Sequence, residues 1–182
     1  MKLVQRLILV QFAWMSLLPA QNSPNVPLLA HVNDYPGVGY NDCWGYTAPD
    51  DREYALLGVR NGTSIIDITD TENVYEVTFI PSATSTWKDI ETYQHYAYTV
   101  TEAAGRLQII DLSNLPASAE LITTSNILNT SHNIFIDEES GILYSGGEGS
   151  SVIRVISLAD PLNPVQISSL GMECHDIYVQ DN

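Results

Sequence analysis

"SHNIFID" occupies Ser131–Asp137, and it has companions at regular distances. "WKDIETY" begins at Trp87, 44 residues upstream, and "CHDIYVQDN" begins at Cys174, 43 residues downstream. Each places a polar pair, Lys88-Asp89, His132-Asn133 or His175-Asp176, before a short strand-like run. Another 44 residues upstream of Trp87 stands Cys43-Trp44-Gly45-Tyr46, a weaker copy. A catalytic histidine needs no copies at fixed spacing, whereas a repeat architecture does.

The segments after each pair repeat as well. "EYALLGV", "HYAYTVT" and "GILYSGG" read as aromatic-rich strands, each followed by a turn with glycine at Gly62, Gly105 or Gly149. "TSIIDITD", "RLQIIDLSN" and "IRVISLAD" follow, rich in β-branched residues, and "VYEVTFI", "AELITTS" and "PVQISSL" complete the units. Apolar residues alternate or run in short blocks, so no amphipathic helix is expected beyond the N-terminal segment. Four short strands per period of about 40–45 residues is the pattern of a β-propeller blade. The expected fold class is therefore all-β: a β-propeller fragment with three four-stranded blades, about 43–86, 87–130 and 131–173, plus the first strand of a fourth at 174–182. Residues 21–42 lead into it. The polar pairs open the first strand of each blade, which would set them around one rim of a central channel.

The 182 residues suffice for one domain with a sizeable core. Residues 1–20 have the tripartite form of a secretory signal peptide. Lys2 and Arg6 supply the charge, Leu7–Leu18 the apolar run, and Ala20 a small residue at the cut. That run is too short and interrupted to favour a membrane span. Its removal takes two of seven basic residues and none of the 22 acidic ones, leaving five against 22, a formal charge of −17. Such a surface excludes nucleic acid and anionic membrane as direct partners. The two cysteines, Cys43 and Cys174, make neither a disulfide framework nor a CxxC metal motif. They hold equivalent repeat positions three blades apart, so no bond is expected between them in a full ring, and burial as free thiols is.

With these segments in view, the chain resembles a known family. "GRLQIIDLSN" (Gly105–Asn114) looks like the LVIVD repeat of bacterial and archaeal surface proteins. The run Tyr40–Asp70 is similar to the choice-of-anchor B proteins, as are "WKDIETYQHYAYTVTE", "SHNIFIDEESGILYSGG", "DPLNPVQISSL" and "HDIYV". The likeness covers roughly residues 30–180. It implies a secreted or cell-surface propeller, often joined to a C-terminal anchoring segment, with no general catalytic activity. Complete members of that family are much longer, so the chain is expected to be a fragment whose remaining blades lie in missing sequence. An open array of blades would be marginally stable or associate through its uncovered faces.

The candidate ligand-binding site is the channel rim: Asp89, His132, Asn133, His175 and Asp176. Converging imidazoles and carboxylates suit a polar ligand, and a divalent metal ion is conceivable there without a motif to require it. Recurrence favours a different role for the acids and the amide, namely bridging adjacent blades or capping turns. The histidines are the less repetitive part, since Lys88 and Trp44 fill the matching places. The acidic turns Asp67–Asn73 and Asp160–Pro164 lack EF-hand spacing and read as self-bonding turns, as does Asp137–Gly141. No GxSxG or HExxH motif occurs. "GGEGSS" (Gly146–Ser151) lacks the lysine of a phosphate loop and reads as a hairpin. Asn61-Gly62-Thr63 and Asn129-Thr130-Ser131 fit the glycosylation sequon. The functional expectation is a non-catalytic extracellular interaction or adhesion module that binds a protein or glycan, without a required cofactor. Its alternatives are a polymer hydrolase or lyase using rim His and Asp groups, and a structural spacer.

Overall fold

The structure, a computed structural model, describes residues 26–147 and 151–180. The expected signal peptide and the turn at Gly149 lie outside these residues. Twelve strands and no helix are found among the described residues. The first sheet contains β1 (Tyr40–Thr47), β2 (Glu53–Val59), β3 (Gly62–Asp67) and β4 (Tyr75–Pro81). The second contains β5 (Lys88–Tyr93), β6 (Tyr96–Thr101), β7 (Leu107–Asp111) and β8 (Glu120–Ser125). The third contains β9 (Asn133–Asp137), β10 (Ile142–Gly146), β11 (Ile153–Ser157) and β12 (Val165–Leu170). Each sheet is an antiparallel meander in chain order, with an irregularity in register between its third and fourth strands.

The sheets lie side by side through their first strands, β1 against β5 and β5 against β9. The result is propeller-like, and the sheets do not close on one another. Two apolar layers hold them. One joins Tyr54, Leu56 and Ile65 of the first sheet to Ile90, Ala97 and Ile110 of the second. The other joins Tyr98, Leu107 and Ile109 of the second to Ile134, Leu143 and Ile156 of the third. Alternation across the strand explains this split, because consecutive side chains point to opposite faces. Ile109 and Ile110, adjacent in sequence and both 0 % exposed, serve different layers. The inner strands β6 and β7 of the middle sheet are thus buried on both faces.

Polar ties cross the same interfaces. Gln108 Nε2 donates to the Pro81 carbonyl at 3.0 Å, and Trp44 Nε1 donates to Thr92 Oγ1 at 3.0 Å. The Tyr98 hydroxyl, itself on a fully buried residue, donates to the Pro161 carbonyl at 2.9 Å. The fourth strands are outermost. β12 is exposed along its whole length and leaves Val165, Ile167 and Leu170 in solvent.

Three expectations need adjustment. The first sheet starts at Tyr40 rather than Cys43, and β1 carries a register shift between Tyr40 and Cys43 that adds one residue to its first half. Residues 171–180 form no strand, although the Gly147 N–H donates to the Cys174 carbonyl at 3.2 Å and holds this tail beside the third sheet. Both cysteines are free as expected, but Cys43 is exposed and Cys174 half-buried, not enclosed. The acidic turns behave as read: Asp160 accepts from the Leu162 N–H at 3.1 Å and from Asn163 Nδ2 at 2.8 Å. Asp67 does more. Only 2 % exposed, it accepts from Arg52 Nη1 at 3.1 Å and from the Thr69 N–H at 2.9 Å.

Ile109→Ala and Ile110→Ala each empty one apolar layer and should cost about 2–5 kcal/mol. Ile167→Ala, on the exposed outer strand, should stay within about 0.5 kcal/mol of the parent. Urea unfolding midpoints of the three variants check this. Equal midpoints for Ile109→Ala and Ile167→Ala would contradict the two-layer core.

Candidate functional site

The first strand of each sheet is an edge strand, so N–H groups on its free side need partners from elsewhere. The preceding sheet supplies one. Asp42 Oδ2 accepts from the Ile90 N–H at 2.8 Å. Asp89 Oδ2 accepts from the Ile134 N–H at 2.6 Å. Asn133 Oδ1 accepts from the Ile177 N–H at 3.1 Å. The three bonds form one repeated clasp, in which a side chain on one first strand holds the backbone of the next repeat. Asp89 and Asn133 thus take the bridging role that their recurrence suggested. Asp176 holds the next place in the series and is exposed.

Asp42 escaped the repeat comparison. A shift of 44 residues aligns Gly45, not Asp42, with Asp89. Asp42 stands three residues before that place, in the irregular part of β1, and only the folded register reveals its role. The motif "YND" before Cys43 was the available signal.

The clasps place acids close together. Burial raises the Asp42 and Asp89 carboxyls, and the two share a hydrogen bond. Asp89 is pushed up to about 7, chiefly by burial, with the Asp42 charge adding to it. Glu91, two residues along β5 and 7 % exposed, is pushed up to about 8 by burial and then by the charges of Asp89, Asp42 and Glu138. Lys88 is buried and lowered to about 8 for the same reason, its Nζ donating to Ser82 Oγ and, at 3.0 Å, to the Ala83 carbonyl.

The histidines form a separate group beside the C-terminal ends of β6 and β10. His132 Nδ1 lies 2.7 Å from Glu102 Oε1. The His132 ring stands 4.4 Å from the His175 ring, edge to face, and 5.8 Å from Trp87. His175 Nδ1 lies 3.1 Å from Asp176 Oδ2. One ligand atom each from His132, His175 and Asp176 fall within 4.8 Å of one another, so these three are able to hold a metal ion together. The backbone is shaped for this approach. Gly147 has φ +133°, and a Cβ there would fall on His132; a Cβ on Gly146 would fall on Cys174 Sγ. His132 side-chain exposure is 15 %, against 62 % for His175 and 75 % for Asp176, so the group opens to solvent on one side.

The predicted rim residues therefore divide. His132, His175 and Asp176 come together; Asp89 and Asn133 belong to the clasps. Glu102 and Trp87 join the histidines without having been anticipated as site residues. Glu102 lies 30 residues before His132, in the turn after β6, and its approach depends on the packing of one sheet against the next.

The raised carboxyls fix a pH dependence. Asp89 and Glu91 bind protons more tightly folded than unfolded, so the stability they confer is full below about pH 4 and is lost as pH rises through about 7 and 8. The melting temperature should fall between pH 5 and 8, and Asp89→Asn should flatten that fall. Asparagine already makes the clasp at 133, so this variant should keep the fold. Asp89→Ala removes the acceptor of the Ile134 N–H and should cost about 1–3 kcal/mol at pH 5. Melting curves across this range test both statements, and a pH-independent parent would refute the buried-acid account.

Against this geometry, comparison with protein-family models and with curated proteins finds no match for the chain.

Proposed function

We propose that the three sheets are blades of a β-propeller of the LVIVD-repeat, choice-of-anchor B kind, and that the chain is an extracellular or cell-surface interaction module. Further blades complete the ring. Its partner is an extracellular protein or glycan, engaged at the rim where Trp87, His132, His175 and Asp176 meet. The observation that carries this reading is the separation of the two residue sets. Asp42, Asp89 and Asn133 are consumed by the clasps, whereas His175 and Asp176 make no bond between sheets and stand exposed beside His132.

Chemistry favours binding over turnover. A hydrolase needs a positioned nucleophile or a general acid and base flanking a substrate-sized cleft. The rim offers a half-exposed aromatic surface, Trp87 at 54 %, beside polar groups. Such a mixture suits a sugar face or a polar peptide, because an indole gives apolar area and its neighbours give hydrogen bonds. The acidic composition suits secretion and disfavours nucleic acid and anionic lipid. Repeat pattern, the N-terminal signal-like segment and the quoted motifs support the family and the location.

The test is a binding screen of the chain against immobilised extracellular polysaccharides and surface proteins, with product release followed in parallel. Binding without product release is expected, and Trp87→Ala and His175→Ala should each weaken it at least fivefold while the circular dichroism spectrum is kept. Turnover of a polymer that disappears in His175→Ala would replace this reading with the hydrolase or lyase one. Neither binding nor turnover would leave the spacer role.

A further inference from the structure

We propose that His132, His175 and Asp176 bind a borderline divalent transition-metal ion of the zinc class, with Glu102 orienting His132 from behind. The proposal deepens the rim reading above and relies on it only for location.

Four observations carry it. First, the ligand atoms already converge. On a tetrahedral zinc with bonds of about 2.0–2.1 Å, ligand atoms stand roughly 3.4 Å apart. The three atoms here lie within 4.8 Å of one another, so closure requires only small rotamer changes in His175 and Asp176, both exposed. Second, a carboxylate stands at 2.7 Å from His132 Nδ1. A carboxylate on one ring nitrogen fixes the imidazole and leaves the other nitrogen for a metal, the usual arrangement behind a histidine ligand. Third, sheet packing does not demand imidazoles here. The matching place one repeat earlier is Lys88, which turns inward to Ser82 and the Ala83 carbonyl. Fourth, Gly147 and Gly146 let the end of β10 come close against His132 and Cys174, where any Cβ would collide with them.

The donor set chooses the ion. Two imidazole nitrogens and one carboxylate oxygen suit zinc, copper or nickel, and they do not suit calcium, which takes six to eight oxygens. Three protein ligands leave a coordination position open. That position would accept an oxygen from a carboxylate or hydroxyl of the partner. A formal charge of −15 raises the local concentration of any cation.

Titration calorimetry of the intact chain with zinc chloride alone tests the proposal. One equivalent should bind. His175→Gln and Asp176→Asn, both at exposed side chains, should each weaken binding at least tenfold. Glu102→Gln should weaken it by about tenfold, as loss of an outer carboxylate does. Calcium chloride at the same concentrations should give no binding. Circular dichroism before and after addition confirms that each variant is folded. Zinc affinity unchanged in both His175→Gln and Asp176→Asn would overturn the proposal, as would equal binding of calcium. Cys174→Ser is a further control and should bind as the parent does; loss of binding there would assign the ion to the thiol instead. No extracellular partner enters this experiment, so a chain that binds zinc but no polysaccharide or protein would count against the interaction reading alone.

Discussion

A backbone N–H on the free side of an edge strand must find an acceptor; β5 and β9 find it on the preceding sheet, and the tail after β12 is held in the same way. The Asp42, Asp89 and Asn133 side chains meet the N–H groups of Ile90, Ile134 and Ile177 in turn. The bond is local, but its repetition sets the spacing of the sheets. Once the first strands are fixed, the faces of β2, β3, β6 and β7 come opposite one another, and the apolar layers close. An unmet N–H inside such an interface costs on the order of 1–3 kcal/mol, enough to make the acceptor a condition of assembly rather than an ornament.

The same arrangement explains the titration behaviour. Acceptors drawn from successive first strands are necessarily near one another, and most of the available acceptors are carboxylates. Asp42 and Asp89 therefore share a hydrogen bond in a buried place, and Glu91 feels both. Asn133 performs the same task without charge. The clasp requires an oxygen lone pair and is indifferent to ionisation, so a neutral amide is the less pH-sensitive solution. The second repeat is thus where the array is most exposed to alkaline weakening, and the third is where it is insulated.

The histidine group owes its position to the clasps without taking part in them. His132 precedes Asn133, and His175 precedes Asp176, so each imidazole is carried beside a fixed residue. Fixing Asn133 on the Ile177 N–H draws the 174–180 tail against the third sheet and brings His175 to 4.4 Å from His132. A structural bond thereby creates a chemical site, and the two functions occupy adjacent positions of one repeated pair.

The period and the four strands of each repeat were legible in the sequence. The spacing of "WKDIETY" and "SHNIFID" is a property of order alone, and β-branched runs bounded by turns report strands because extended backbone suits those side chains. The bridging role of Asp89 and Asn133 was legible too, since bonds between repeats must recur wherever repeats do. Asp42 was not, because it lies three residues off the 44-residue spacing while keeping the same role, and sequence spacing counts residues rather than space. Nor were Glu102 and Trp87 legible as neighbours of His132. Their distance to it is set by how one sheet rests on the next, through packing of Tyr98, Leu107 and Ile109 on Ile134 and Leu143. The order of residues thus determined what repeats, and the tertiary contact between sheets decided which unlike residues meet.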